Sequence, residues 1–443
     1  MLPEPPDPPA PPEPPSSGFS MHGSQTHAII TSEHNGQKLE VRLDGEVEFT
    51  DDDADVKRLT PGGLLRIKDD GFLSGVLRGR SVEFAADAKG NITRRFWVGS
   101  SERPFDPDGR QWLAQVLLGF IRQTGIGASA RVARILKSQG PAGVLKEISQ
   151  IEGSWAKRVY FSELLEAPLD PATARQALVQ AGREIDSDFE LATLLIQASG
   201  RLLVDDATRQ AYFDAARTIQ SDFEMHRVYS AALKRGPVPA PLLASVLNAS
   251  HDIDSDFEEA TFLIEVAKLQ PLDNVTRTPF FDALATVSSD FEHRRVLSAL
   301  AERGQLPTDV IAAMLASAAA VHSDFEAASF LVQVVKQQPI EGALREPFFR
   351  AVDSIDSAFE RGRVLQELAR RTDASPETVL ALLRSTAGIK GNFEASNVLL
   401  TVAATHSLSG AARDAYIDVA QRLGEFEQGR TMSALVRNER RSK

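Results

Sequence analysis

Two rows of arginine recur at fixed spacing. Arg227, Arg295 and Arg363 follow one another at intervals of 68, and Arg430 comes after a step of 67. Arg209, Arg277, Arg345 and Arg413 form a second series, also at 68. A guanidinium is a planar fork of five N–H donors that matches a carboxylate, so either row could serve as a ladder for an extended acidic protein or peptide. The competing reading pairs each arginine with an Asp or Glu of the adjacent unit, tying unit to unit. Acids lie within a turn or two of every arginine, which favours the structural role.

No other group of residues has the spacing of a catalytic or metal site. Asp51-Asp52-Asp53-Ala54-Asp55 lacks the alternating oxygen ligands, central glycine and closing glutamate of a helix-loop-helix calcium site, and reads as a solvated turn. Asp106-Pro107-Asp108-Gly109 reads as a turn into a helix. The eight histidines are scattered; His226 and His293 share a similar place in their units, but one per unit is a poor zinc site. There is no His-Glu-x-x-His, no phosphate-cradling glycine loop with lysine and no Gly-x-Ser-x-Gly elbow. The chain has no cysteine, which excludes disulfides, thiolate metal sites and thiol catalysis. A net charge of −12 argues against a general nucleic-acid binder. No apolar run reaches membrane-spanning length, and the first residues lack a signal-peptide core. We therefore expect no enzyme, no cofactor and no membrane insertion by this chain.

The arginines are positioned by a repeat. Ser-Asp-Phe-Glu stands at Ser187, Ser221, Ser255, Ser289 and Ser323, with degenerate copies starting at Ser357, Gly391 and Gly424. The phenylalanines recur with a period of 34, except for a last step of 33. Such a period marks an α-solenoid of two-helix repeats. In each phrase the serine is an N-cap, the aspartate favours the helix dipole and the glutamate at N3 closes a capping box. Phe257, Ala260, Thr261 and Ile264 form an i, i+3, i+4, i+7 stripe, predicting that the phrase phenylalanine enters the seam between repeats. Units of two kinds alternate, so the true period is 68. In the first kind, Asp205, Asp273, Glu341 and Ser409 cap second helices that carry Phe213, Phe281, Phe349 and Ile417. Second helices of the other kind are aliphatic, as at Val246-Leu247, Met314-Leu315 and Leu382-Leu383. One turn after the phrase phenylalanine, the Arg227 row alternates with Thr193, Thr261, Ser329 and Asn397. The unit has the length of a tetratricopeptide repeat without its Trp, Leu-Gly, Tyr and Pro spacing, and reads as a helix pair of the general HEAT-like or tetratricopeptide class.

The expected order is a proline-rich arm over 1–25, a small antiparallel β-domain over 26–100, a connecting helix over 101–127 and the solenoid over 128–443. The stretch from Met1 to Ser20 holds nine of the 24 prolines, a composition that favours a polyproline II spacer. Lys38–Leu43, Glu46–Phe49, Leu64–Ile67, Ser81–Phe84 and Asn91–Val98 alternate like strands, with Asn35-Gly36 and Asp44-Gly45 as hairpin turns. The fold class is thus α+β and mostly α.

This order, with Phe105-Asp106-Pro107-Asp108-Gly109-Arg110-Gln111-Trp112-Leu113 leading into Ser-Asp-Phe-Glu repeats, resembles the C-terminal region of some bacterial BlaR/MecR-type antirepressor metallopeptidases. The membrane helices and zinc motif of that family are absent, so no catalytic residue carries over. The expected function is a non-enzymatic protein-interaction or scaffold module that takes a protein or peptide on the solenoid. What the resemblance implies is a ligand-sensing extracytoplasmic portion of a membrane signalling protein; a chain acting alone would be cytoplasmic. A third alternative is a hydrolase with its site between β-domain and solenoid. The sequence leaves compartment and oligomeric state open.

Overall fold

The computed structural model describes residues 19–24, 27–34, 37–69, 79–304 and 306–441. The expected proline arm up to residue 18 and the Asn35-Gly36 turn lie outside the described residues. The chain divides into two compact units, Met1–Arg235 and Gly236–Lys443.

Among the described residues the first unit opens on nine strands: β1 (Phe19–Ser24), β2 (His27–His34), β3 (Gln37–Asp44), β4 (Val47–Phe49), β5 (Val56–Leu59), β6 (Leu64–Asp69), β7 (Arg80–Ala86), β8 (Ile92–Val98) and β9 (Ser101–Arg103). The main sheet is antiparallel in the order β1-β2-β3-β6-β7-β8-β9, and β4-β5 is a separate ribbon. The expected Asp44-Gly45 hairpin does not form. Asp44 pairs with Leu64 of β6, and the chain leaves the sheet at Gly45, whose φ of 102° suits glycine. β1 also takes up residues that the sequence assigns to the arm.

Alternation puts Val41, Leu43, Leu65, Ile67, Val82, Phe84 and Phe96 on one face of the sheet. Helix α1 (Arg110–Thr124) covers that face with Trp112, Leu113, Leu117, Phe120 and Ile121. It ends at Gly125, left-handed at φ 68°. Then come α2 (Ala128–Ile148), kinked at Gly140-Pro141, α3 (Ser154–Glu166), α4 (Pro171–Glu184), α5 (Asp188–Leu202), α6 (Asp206–Ala216) and α7 (Asp222–Leu233). First helices pack on first helices (α3 on α5, α5 on α7) and second on second (α4 on α6).

The second unit continues the scheme with α8 (Ala240–Ala249), α9 (Asp256–Leu269), α10 (Arg277–Leu284), α11 (Asp290–Ala301), α12 (Thr308–Ala318), α13 (Asp324–Gln337), α14 (Arg345–Asp353), α15 (Ala358–Ala369), α16 (Pro376–Thr386), α17 (Asn392–Thr405), α18 (Gly410–Ala420) and α19 (Glu425–Arg441). The odd-numbered helices from α9 form one packed layer and the even-numbered ones from α8 to α18 the other. One two-helix unit cannot bury its apolar face alone; stacked neighbours supply the cover. These are the helix pairs of an α-solenoid that the repeat period predicts.

The apolar stripe of the first helices differs from expectation. Ala260, Phe262, Leu263, Val266 and Ala267 are among the buried residues of α9, while Phe257, Thr261 and Ile264 are only half-buried. At 100° per residue the buried stripe is rotated by roughly 120° from the expected one. A first helix packs against two first-helix neighbours and its own second helix. The apolar residues five to ten positions beyond the phrase phenylalanine meet that demand, and the phenylalanine at N2 is left at the rim. On the second helices the fully buried column is Tyr212, Phe280, Phe348 and Tyr416; of the expected column one residue later, Phe213 and Phe349 are also buried, while Phe281 and Ile417 are half-buried. The aliphatic pairs Val246-Leu247, Met314-Leu315 and Leu382-Leu383 are buried.

Candidate functional site: an aromatic and arginine row on the first helices

Each phrase places its four side chains in four different environments. The serines at 187, 221, 255, 289, 323 and 357 cap their helices, each accepting from the N–H of the glutamate three residues on. The reciprocal half of the capping box is replaced. The serine N–H goes instead to the aspartate of the preceding phrase: Asp188 accepts from Gln220 and Ser221 N–H (3.1 and 2.8 Å), Asp256 from Ser288 and Ser289 (both 2.9 Å), Asp290 from His322 and Ser323 (3.0 and 2.8 Å), and Asp324 from Asp356 and Ser357 (3.1 and 2.8 Å). Every such aspartate therefore caps the next helix entrance as well as favouring its own.

The phrase glutamates, freed from the box, hold arginines. Glu224 pairs with Arg227 at 2.6 Å, Glu292 with Arg295 at 2.5 Å and Glu360 with Arg363 at 2.7 Å, all at i, i+3. Glu190 takes Arg158 and Glu326 takes Arg294 from the preceding unit. Burial pushes the Glu224 and Glu292 carboxyls up, and the adjacent guanidinium of Arg227 or Arg295 opposes it.

The phenylalanines face outward. In the first unit Phe189 is 49% exposed, and in the second Phe325, Phe359, Phe393 and Phe426 are 51, 66, 61 and 72% exposed. Phe223, Phe257 and Phe291 are half-buried. The expected arginine row lies beside them. Arg227 Cζ is 5.7 Å from the Phe223 ring centroid, Arg295 5.7 Å from Phe257, Arg363 5.4 Å from Phe325 and Arg430 5.7 Å from Phe426. Arg295 and Arg363 reach back to the ring of the preceding unit, and Arg363 also donates to Ser329 Oγ at 3.0 Å. Each contact of this kind contributes about 0.5–1 kcal/mol. Arg294 Cζ also lies 5.4 Å from the Phe291 ring, so one face of the second unit presents an aromatic ring at every first helix, with a guanidinium over Phe257, Phe291, Phe325 and Phe426.

The other arginine row is elsewhere. Arg277 and Arg345 are the first residues of α10 and α14, and Arg209 and Arg413 lie within the first turns of α6 and α18. Arg209 pairs with Asp206 at 2.8 Å, Arg277 with Asp309 of the next unit, Arg345 with Glu341 at 3.1 Å and with Thr378 Oγ1, and Arg413 with Glu439 at 2.8 Å. The two rows sit on different helix layers and are not brought into one site. Of the expected second-helix caps, Asp205 accepts from Thr208 N–H and Asp273 from Val275 and Thr276 N–H; Glu341 instead accepts from the N–H and hydroxyl of Ser375. Ser409 makes no cap bond.

The reading of Asp51–Asp55 as a solvated turn is overturned for two of its members. Asp53 and Asp55 are buried. Asp53 accepts from Arg131 Nε at 2.8 Å and Arg134 Nη2 at 2.5 Å; Asp55 accepts from Arg94 at 3.2 Å and Arg110 at 2.6 Å. Arg131 also reaches Glu147 and the Tyr160 hydroxyl, and Glu147 is clasped by Arg122 through both oxygens. Burial pushes the Glu147 carboxyl up, but Arg122 and Arg131 override it and hold the group below its usual range. A cleft of about 660 Å³ lies over this network, lined by Arg122, Arg131, Arg134, Lys146 and Gln150 among others. Its three arginines are all committed to carboxylates, so the network clasps the β4-β5 ribbon to α2. The cue in the sequence is Arg131 and Arg134, one helical turn apart, as counterparts to an acid cluster.

Among the described residues no group of three or more His, Cys, Asp and Glu could hold a metal ion, and no helix is long and apolar enough to cross a membrane. No protein-family model matches the chain. A search of curated proteins gives no match either.

Proposed function

We propose that the chain is a non-enzymatic protein-interaction module that takes an extended peptide on its first-helix layer. One observation carries this reading: the residue most regularly repeated in the chain, the phrase phenylalanine, is left at the surface, exposed or half-buried, instead of being used in the core, and five of these rings have an arginine beside them. An aromatic ring on a rigid helix buries large area at low entropic cost, and aromatic residues and arginine are the side chains enriched where binding energy concentrates. Exposed apolar rows of this kind mark interaction surfaces.

The test is a peptide library selected on the full-length chain, with affinities then measured against Phe325→Ser/Phe359→Ser/Phe393→Ser. Burying the exposed half of each ring supplies about 1 kcal/mol or more, so the triple variant should lose about a hundredfold in affinity. Its thermal midpoint should stay close to wild type, because the substituted rings are at the rim. Selected peptides that bind the variant as tightly as wild type would overturn the proposal.

A further inference from the structure

The first helices are not all covered alike. Helices α11 to α17 each pack between two first-helix neighbours, whereas α19 packs on α17 and on its own second helix α18. Thr431, Ala434, Leu435 and Asn438 form the buried face of α19. At 100° per residue, Glu425, Gly429, Met432, Ser433, Val436 and Arg440 fall on the opposite side, in one strip along the helix. Met432 is half-buried and the other five are exposed, Val436 by 46%.

The middle of this strip has the residue types that other first helices bury. Gly429, Met432 and Val436 correspond to Gly362, Leu365 and Ala369 of α15 and to Ser396, Leu399 and Ala403 of α17, all of them buried. At Gly362 an added Cβ would lie 3.1 Å from the Cβ of Glu394, so the following first helix fills that space. At Gly429 nothing lies within 4 Å. Glycine inside a helix costs about 1 kcal/mol relative to alanine, and no contact within the described chain uses the space it opens here. The strip is therefore built as a helix-packing face and left uncovered.

Its two ends say what covers it. Glu425 stands in the first turn of α19 and Arg440 in the last, and neither makes an ion pair among the described residues. A parallel helix of the same sequence would set Glu on Glu and Arg on Arg. An antiparallel one, related by a two-fold axis between Met432 and Ser433, sets Glu425 against Arg440 twice. The same axis sets the gap at Gly429 against the side chain of Val436 twice. We propose that the strip of α19 is an isologous contact with α19 of a second copy of this chain, the two helices running antiparallel. One helix pair falls below the ~1,200 Å² that stable complexes bury, so the contact makes a weak dimer with a Kd on the order of 100 μM. It uses none of the rings substituted above, so this inference and the interaction reading fail separately.

The test is sedimentation equilibrium of the full-length chain up to about 1 mM, joined to cross-linking. Val436→Glu should weaken association at least tenfold while the thermal midpoint stays close to wild type, because the side chain is at the surface. Gly429→Leu should do the same by filling the gap. Glu425→Arg and Arg440→Glu should each weaken association several-fold, and the two together in one chain should restore it to within about twofold. The chain has no cysteine, so an introduced one is unique. With a short bismaleimide, Ser433→Cys should cross-link to itself across the axis. Glu425→Cys should not, since its own copies lie ~22 Å apart along the helices, but it should cross-link to Arg440→Cys when the two variants are mixed. A chain that stays monomeric up to about 1 mM, association unchanged by Val436→Glu, a charge exchange that fails to restore it, or self-cross-linking of Glu425→Cys would each overturn the proposal.

Discussion

Asp53→Asn isolates the charge at the centre of the first unit. Asp53 sits at φ 54°, a left-handed conformation that asparagine adopts as readily as aspartate, so the substitution alters charge without straining the backbone. In the wild type its carboxylate meets Arg131, whose side chain is 6% exposed, and Arg134, which is 25% exposed. Removing one partner of a buried ion pair costs about 3–5 kcal/mol because the survivor stays desolvated and uncompensated. Arg131 retains Glu147 at 2.8 Å and Arg134 retains the Thr50 carbonyl, which places the expected loss near the lower end, about 3 kcal/mol. For a unit of this size that lowers the thermal midpoint by about 6–12 °C. The assay is selective: all three tryptophans, Trp97, Trp112 and Trp155, lie in the first unit, so their fluorescence follows it during urea or heat unfolding. The control is Glu102→Gln, which removes the exposed pair with Arg95 and should leave the midpoint close to wild type because water screens that pair. A shift for Asp53→Asn no larger than the control's would refute the network as the clasp between the β4-β5 ribbon and α2.

Two further outcomes test the joints between repeats. Asp256→Ala removes the acceptor for Ser288 and Ser289 N–H and should destabilise the second unit by about 1–2 kcal/mol, with faster amide exchange at those two positions; unchanged exchange there would show that water replaces the carboxylate without cost. In acid, the histidines should dominate. Burial holds His293, whose Nε2 lies 2.8 Å from Ser317 Oγ, below its ordinary pKa against the opposing Asp290 carboxylate, and burial does the same for His406 against the Ala369 carbonyl. The unfolded chain then binds protons that the folded one refuses, so stability is complete above about pH 6.5 and falls as pH drops below it. Glu292, raised by burial, works in the opposite sense as it protonates at lower pH. Far-UV circular dichroism of urea unfolding at pH 7.5 and 5.5 reads the slope. His293→Asn with His406→Asn should flatten it, and an unchanged slope would assign it to other groups.

The repeat is plain in the sequence because its causes are local. A serine three residues before a glutamate, and an acid at N1, act within one turn, and the helix entrances fall where the phrase puts them. The alternating runs at Lys38–Leu43 and Asn91–Val98 are likewise strands because alternation needs only one buried face. What misleads is anything decided between elements. Phe257 reads as core by residue type, yet the seam is filled by Phe262, Leu263 and Val266, and only the stacking geometry decides which side of a helix is inside. Glu292 and Glu326 look like the second half of a capping box. The aspartate of the preceding phrase occupies that N–H instead, a partner invisible at short range. Asp53 reads as solvated until Arg131, far along the chain on α2, folds over it.

The first-helix row of the second unit does not repeat itself along its length. Phe257 and Phe291 are half-buried, whereas Phe325, Phe359, Phe393 and Phe426 are 51, 66, 61 and 72% exposed. Guanidinium groups lie over Phe257, Phe291, Phe325 and Phe426, so the steps between charged rings are uneven. A chain laid along such a row would meet a different order of ring and charge at each displacement. An uneven row of this kind would define one registry, as the irregular teeth of a key define one seat in a lock.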